Sequence, residues 1–243
     1  MCLEKKSRLP SPRPAVVAGS GGEMSGGGPV MGGALPAWAQ GLQLTSLAAL
    51  EERQGEAGGG LSTGLAALDR RLGGGLPRGA LSELSGPVGS LGLTTLQHGL
   101  LRSAREAQLF AAFVDGFDRF DPGSCPAALR EGLLWVRGDG RVPQVLKAAD
   151  LLVRDPNFGL LLLDLREAAA RELRRVPAQH WYRLQRAVRE SGGTLALFTP
   201  FPLAPSATLR VRFHPTGSVE PAWELLRQPA AAAHADLPAT QAV

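Results

Sequence analysis

The stretch Ala80–Leu100, ALSELSGPVGSLGLTTLQHGL, decides the fold of this chain. It predicts a short strand, a glycine-rich turn and the start of a helix. Backbone N–H groups in such a turn, and the positive end of the helix, point toward an anion and so can cradle phosphate. A phosphate loop reads G-x-x-x-x-G-K-[ST], where the lysine reaches the terminal phosphates and the hydroxyl binds magnesium. Here the spacing from Gly86 to Gly92 is one residue longer, and Leu93 occupies the lysine position.

Size and composition fit one sizeable α/β domain with tails. The chain has 243 residues, of which 44% are hydrophobic, and a net charge of +4 that favours an acidic partner or nucleic acid. Cys2 and Cys125 match no metal-binding or CxxC spacing, which indicates a reduced cytoplasm. Neither a signal peptide nor a membrane span is expected, because the longest apolar stretch, around Leu160–Leu163, is too short to cross a bilayer.

Four segments differ in composition. Residues 1–40 are rich in Gly, Pro and Ser and predict a disordered tail. Residues 41–60 predict a short helix, Thr45–Arg53, followed by a glycine hinge, so this helix can dock on the body or on another molecule. Residues 61–228 predict one core, and residues 229–243 predict a disordered Ala-rich tail.

Strand and helix patterns alternate along the core. The predicted strands are Ala80–Leu84, Leu109–Val114, Leu133–Arg137, Phe158–Leu163 and Thr194–Phe198, followed by a closing hairpin of Ala207–Phe213 and Val219–Leu226. The predicted helices are Gly64–Leu72 capped by Thr63, Leu93–Glu106, a helix capped by Ser124, Val142–Leu152, and Glu167–Glu190 with a break near Pro177. This order predicts an α/β fold with a mostly parallel sheet that helices flank.

Three loops follow the carboxyl ends of predicted strands, where ligands bind in such sheets. These loops are Ser85–Thr95, Asp115–Pro122 and Asp164–Arg166. We interpret one group of acids as a solvated loop, because the glycine and the distal glutamate of a calcium loop are missing; the group is Asp115, Asp118 and Asp121. No ligand spacing and no catalytic triad links the four histidines, which are His98, His180, His214 and His234.

Motifs in a fixed order carry a resemblance to a known family. The sequences STGLAALD at Ser62–Asp69 and GGLPRG at Gly74–Gly79 precede the glycine-rich loop, FVDGFDRFDP occupies Phe113–Pro122, and LLLLD occupies Leu160–Asp164. Together they resemble a RecA-type ATPase core, with its lead-in to the phosphate loop, its segment carrying the catalytic glutamate and its Walker B strand. The resemblance covers roughly Leu61 to Leu226 and implies the RecA-like fold.

The chemical positions of that family differ here. Leu93 replaces the phosphate-binding lysine, Phe117 replaces the water-activating glutamate, and Thr199–Phe201 replaces the Asn-Gln pair that senses nucleotide. Because phosphoryl transfer depends on positioning and charge stabilisation, we expect little or no hydrolysis, and no cofactor beyond weak binding of ATP and magnesium. We interpret the loop as an inherited turn rather than a nucleotide site. The residues of this vestigial nucleotide loop are Gly86, Gly89, Gly92, Leu93, Thr94, Thr95, Phe117 and Asp164.

RecA-like chains without the ATPase residues resemble the ImuA group, also called SulA-like. That resemblance implies a non-catalytic accessory factor of SOS-induced DNA repair, mutagenesis and translesion DNA synthesis in the bacterial cytoplasm, associated with the nucleoid during repair. The implied partners are RecA and the polymerase-like protein ImuB, with a limit on RecA filament growth as one outcome. The alternatives are an ATP-dependent recombinase-like ATPase, a direct DNA-binding module that loses affinity steeply with salt, and a cell-division inhibitor.

Arginines recur near helical spacing between Arg166 and Arg189, with Trp181 and Tyr182 among them. Such a surface fits an acidic protein partner, where Trp, Tyr and Arg are enriched, or DNA, whose bases stack on aromatic rings. It also fits a solvated helix face on which arginines pair with glutamates. The candidate partner or DNA surface consists of Arg171, Arg174, Arg175, Trp181, Arg183, Arg186 and Arg189.

Overall fold

The computed structural model describes residues 60–88, 91–215 and 221–229. The chain divides into two compact units, Met1–Thr45 and Ser46–Val243, and every described residue belongs to the second. The predictions for residues 1–40, for the helix Thr45–Arg53 and for most of the C-terminal tail therefore lie outside the described residues, as does Gly89 of the predicted loop.

Seven strands form one sheet. They are β1 (Ala80–Ser85), β2 (Phe110–Asp115), β3 (Leu133–Arg137), β4 (Phe158–Asp164), β5 (Thr194–Thr199), β6 (Leu209–His214) and β7 (Ala222–Arg227). Their order across the sheet is β3-β2-β4-β5-β1-β6-β7, and every neighbouring pair is parallel except β6 and β7. This confirms the α/β fold with a mostly parallel sheet and a closing antiparallel pair.

Six helices connect or cover these strands within the described residues. They are α1 (Ala66–Leu72), α2 (Leu91–Glu106), α3 (Ala127–Arg130), α4 (Val142–Leu152), α5 (Ala170–Leu173) and α6 (Ala178–Ser191). None of these described helices combines the length and the apolar character that crossing a bilayer requires. The bounds of α4 are those predicted, because its apolar spacing and the proline in its first turn mark both ends.

Both predicted caps are wrong. The backbone N–H and the hydroxyl of Thr63 donate to Oδ1 of Asp69, at 2.8 and 2.7 Å. Thr63 therefore does not cap the helix, and α1 begins at Ala66. The hydroxyl of Ser124 donates to the carbonyl oxygen of Asp121 at 2.9 Å, and Pro126 takes the N-cap position of α3. In both cases a local hydrogen bond competes with capping for the same side chain.

The predicted helical segment Glu167–Glu190 has its predicted break near Pro177. It is divided into α5 and α6, and Pro177 is the N-cap residue of α6 with extended backbone angles. A proline has no N–H for an internal helical bond, so the helix begins after it rather than continuing through it.

Two apolar cores cover the two faces of the sheet. Leucines of α1 and α2, together with Leu84 of β1, form one core. Residues of α4 and α6, together with Leu81 of β1, form the other, which includes the fully buried Trp181. Alternate residues of β1 thus face opposite cores, as expected for a strand in the interior of a covered sheet.

A buried carboxylate joins β1 to its two neighbouring strands, β5 and β6. Glu83 is fully buried, and its Oε1 accepts hydrogen bonds from the backbone N–H groups of Leu203 at 2.5 Å and Ala204 at 2.9 Å. The hydroxyl of Thr199 donates to the same oxygen at 3.3 Å. Nε of Arg210, on β6, donates to Oε2 at 2.6 Å, so a cation balances the buried charge.

Replacing Arg210 by Met is expected to lower the free energy of unfolding by about 3 kcal/mol, because it leaves the Glu83 carboxylate buried without its cation. The matched control is Arg212→Met, two residues along the same strand, which removes an ion pair with Glu224 whose two side chains are more than 40% exposed. That control is expected to cost less than about 1 kcal/mol. Urea unfolding followed by circular dichroism measures both, and equal losses would contradict the assigned role of Glu83.

Candidate functional site

The carboxyl ends of β2 and β4 bring the predicted loops together. Asp115 and Asp164 are register partners in these adjacent strands. They line a cavity of about 200 Å³ together with Thr94, from the start of α2, and Phe117, from the loop after β2. The cavity therefore lies where a RecA-type core would hold nucleotide, and its wall contains several of the predicted site residues.

The carboxylate of Asp164, which is predicted to be the Walker B residue, is hydrogen-bonded to side chains of this chain. Nη2 of Arg166 donates to Oδ2 of Asp164 at 2.6 Å, and Nε of Arg166 lies 3.0 Å from both carboxylate oxygens. Nε2 of Gln97 donates to Oδ2 at 3.0 Å, while Oε1 of Gln97 accepts from Arg166 at 3.3 Å. The guanidinium group lies 5.7 Å from the centroid of the Phe198 ring. Both oxygens of Asp164 thus meet donors, and a guanidinium cation stands against the carboxylate.

Leu93 belongs to the core and not to the cavity wall. Its side chain is fully buried among leucines of α1 and α2. A Cβ added to Gly86 would lie 3.0 Å from Cδ1 of Leu93, so this side chain packs directly beneath the start of the loop. The residue at the lysine position therefore stabilises the helix against the sheet and supplies no charge to the cavity.

The described glycines of the loop allow close packing against the closing strand pair. A Cβ at Gly92 would lie 2.5 Å from Cβ of Pro221 and 3.0 Å from Cδ1 of Phe213. A Cβ at Gly86 would lie 3.0 Å from the carbonyl oxygen of Phe213. These contacts explain two loop glycines by steric fit alone, which is what the interpretation as an inherited turn requires.

The remaining described residues of the predicted loop differ in exposure. Thr94 and Thr95 are exposed, and Phe117 is a half-buried aromatic ring at the position of the family's glutamate. Asp115 is buried and accepts hydrogen bonds from the backbone N–H groups of Arg119 at 3.0 Å and Phe120 at 2.8 Å. Asp115 therefore stabilises the turn that follows β2 through hydrogen bonds to its backbone.

Of the other two acids of this loop, Asp118 forms a surface ion pair, and Oδ1 of Asp121 accepts a hydrogen bond from the backbone N–H of Gly123 at 2.8 Å. Arg137 donates two hydrogen bonds to Asp118, and these bonds hold the pKa of the Asp118 carboxyl below its usual value. Arg119 pairs with Glu167 at 3.0 Å across the cavity. In the part of the chain that the structure describes, no group of three or more His, Cys, Asp or Glu side chains is arranged to hold a metal ion.

Gln97, Arg119, Arg166 and Glu167 line or fill the site and were not among the predicted site residues. Gln97 lies three residues after Thr94, one helical turn along α2, so the predicted helix already placed both on one face. Arg166 lies within a loop that was singled out. The ion pair between Arg166 and Asp164 could not be predicted from the sequence, because an arginine two residues from an aspartate can also point into solvent.

One residue of the predicted basic surface, Trp181, was placed there wrongly. Trp181 is 1% exposed and packs in the core, so it cannot stack on a base or contact a partner. Its spacing to Leu184 and Val188, which are also buried, explains this, because the three share one face of α6. Tyr182 is the exposed aromatic residue, at 57%.

The arginines of that surface are exposed but do not form one patch. Arg183 donates to Asp150 on α4 at 3.1 Å, and Arg186 donates to Glu190 at 2.8 Å. The guanidinium of Arg174 lies 5.0 Å from the ring centroid of Phe201. Arg189 lies beside Gly79, near the amino end of β1. These arginines therefore extend from Arg174, before α6, to Arg189 in its last turn, and ion pairs neutralise part of their charge.

Comparison with known proteins supports a relationship to RecA. The RecA protein of Leifsonia xyli subsp. xyli is 38% identical over 104 residues, which is 42% of this chain and 29% of that protein. The RecA protein of Rubrobacter xylanophilus is 35% identical over 122 residues, 49% of this chain and 35% of that protein. The chain thus spans about a third of the length of these curated relatives. No family model matches the chain.

The fold has a solved counterpart. The crystal structure of the RadB recombinase superposes with a TM-score of 0.57 at 20% sequence identity, covering 70% of this chain and 90% of that chain. At this identity the likeness concerns the fold, and the partial sequence similarity to RecA is independent of it. Homology to RecA over part of the chain and the shared fold together support placing this chain among the RecA-like proteins.

Proposed function

We propose that this chain is a non-catalytic RecA-like accessory protein of SOS-induced DNA repair and translesion DNA synthesis. It acts by binding RecA and an ImuB-type polymerase-like protein. The observation that carries the proposal is the state of the nucleotide site, where Arg166 and Gln97 occupy the carboxylate of Asp164. Similarity to RecA supplies the DNA-repair context.

The site lacks the charges that phosphoryl transfer uses. Leu93 is buried in the core, and Phe117 presents a hydrocarbon ring in place of a carboxylate. One lost charged contact costs on the order of 3 kcal/mol in the transition state, so two such losses remove most of what a protein contributes to this reaction. Binding nucleotide here would also require breaking the ion pair of Arg166 with Asp164, which is only slightly exposed to water.

An inactive RecA-like core can act by occupying a surface. RecA-type protomers polymerise head to tail, so each uses two different surfaces. A heterologous interface extends only where both surfaces are present. A chain that keeps one such surface and has no nucleotide-dependent one would bind the end of a RecA filament and stop its growth.

Purified full-length protein is expected to show no binding of a fluorescent ATP analogue with magnesium up to about 1 mM, which corresponds to a binding free energy weaker than about 4 kcal/mol. The titration is made with and without single-stranded DNA, and a RecA protein in the same buffer is the positive control. Micromolar binding, or hydrolysis that single-stranded DNA stimulates, would contradict the proposal and favour the recombinase-like ATPase.

The chain is expected to co-elute with RecA and with an ImuB-type protein in size-exclusion chromatography. The variant Arg183→Glu/Arg186→Glu is expected to weaken this co-elution and to keep its circular dichroism spectrum, because both ion pairs are on the surface. Unchanged co-elution of the variant would exclude this part of the surface. Failure of the wild-type chain to co-elute with either protein would overturn the accessory function itself.

A further inference from the structure

A second cavity lies between α4 and the segment that leads from α5 into α6. It has a volume of about 350 Å³, within the range of sites that hold ligands. Its floor is apolar, since Val142 and Leu146 are buried there and Val176 is half-buried. We call it the α4–α6 groove; its lining includes Val142, Pro143, Leu146, Val176, Pro177 and His180.

The rim of the α4–α6 groove is basic. Lys147, Arg175 and Arg183 line it and are exposed, whereas Glu172 is its one acidic residue. Arg183 has a partner in Asp150, but Lys147 and Arg175 form no ion pair with any residue in the ranges that the structure describes. Two cations without an ion-pair partner, beside an apolar floor and with a single acidic residue in the lining, give a positive potential that attracts an anionic ligand.

His180 adds a polar group without an internal partner. It lines the groove, and its buried Nδ1 has no hydrogen-bond partner among the described residues. A buried ring nitrogen that finds no partner is costly, and such atoms in native structures require an explanation.

We propose that the α4–α6 groove binds an acidic peptide segment of a partner protein. Apolar side chains of the peptide enter the floor, and its carboxylates meet Lys147 and Arg175. The proposal deepens the accessory function and rests on it in one respect, namely that the chain acts by binding protein.

The lining of the groove favours a peptide over nucleic acid. Single-stranded nucleic acid binds by stacking bases on aromatic rings along a charged track. Among the residues that the structure describes, no Trp, Tyr or Phe lines the groove, and the neighbouring Trp181 is 1% exposed and packs in the core. An apolar floor of aliphatic side chains and prolines, edged by cations, instead matches alternating apolar and acidic side chains.

Fluorescence anisotropy tests the proposal on the full-length chain. The probe is a fluorescein-labelled 12-residue peptide that alternates Leu or Phe with Asp or Glu. One control peptide has Ser at the apolar positions and another has Asn and Gln at the acidic ones. The first peptide is expected to bind at least about tenfold more tightly than either control, a difference that one or two good contacts supply. Equal binding of the Ser peptide would overturn the proposal, because it would show attraction by charge alone.

Charge reversal locates the binding site. The variant Lys147→Glu/Arg175→Glu is expected to weaken peptide binding at least about tenfold. The matched control is Arg102→Glu/Arg130→Glu, which reverses two exposed arginines on α2 and α3, helices of the opposite core. Control binding is expected to stay unchanged, and equal losses in the two variants would overturn the groove as the site. Val176→Trp, which fills the groove without changing charge, is expected to reduce binding as well.

Cross-linking gives a second measure that does not depend on affinity. Lys147 is the single lysine of the described residues, since the other two are Lys5 and Lys6. A carbodiimide is expected to join the Lys147 amine to a peptide carboxylate, and mass spectrometry identifies the product. Lys147→Arg keeps the charge, so it is expected to retain peptide binding and lose the cross-link. A cross-link found only at Lys5 or Lys6 would overturn the assignment.

The outcomes separate the groove from the broader function. Peptide binding without co-elution with RecA or an ImuB-type protein supports the groove and overturns those partners. Co-elution that survives Lys147→Glu/Arg175→Glu supports the accessory function and overturns the groove as its site. A labelled (dT)20 strand that binds, while the acidic peptide does not, overturns the peptide proposal in favour of nucleic acid.

Discussion

A carboxylate that is removed from water must find its neutralising groups within the fold. Glu83 is such a group, and it lies on β1, between β5 and β6. Its partners come from the loop after β5 and from Arg210 on β6, so one side chain fixes the relative position of three neighbouring strands. The loop that follows β1 is attached to this fixed point, so the position of the loop at the strand ends depends on it.

The same physical rule explains why Asp164 is paired with Arg166. Asp164 is also nearly buried, and in this chain its neutralising cation is Arg166, two residues further along. A metal-dependent enzyme leaves such a carboxylate available to an ion that arrives with its substrate. Here the fold supplies the cation itself, and Leu93 is buried in the core. On the proposed function, the carboxylate of Asp164 is neutralised by the chain's own Arg166 and needs no bound metal ion.

The sheet could be predicted from the sequence because continuous apolar runs and the spacing of turns report burial directly. The strand Leu133–Arg137 and the helix Val142–Leu152 have the bounds that their patterns predict. The two caps could not be predicted, since Thr63 and Ser124 each have a competing local hydrogen bond. The burial of Trp181 could have been predicted, because its helical spacing to Leu184 places both side chains on one apolar face. The pairing of Arg166 with Asp164 was not, since it depends on side-chain geometry.

The tethered cation at Asp164 has a consequence for how the chain would be controlled. A group attached two residues away is present at an effective concentration of at least about millimolar, whatever the cell contains. Free magnesium must displace this guanidinium group to reach the carboxylate of Asp164. On the proposed function, such a chain would not follow the energy status of the cell as a nucleotide-driven protein does. The timing of its action would then be set by how many copies are synthesised and degraded.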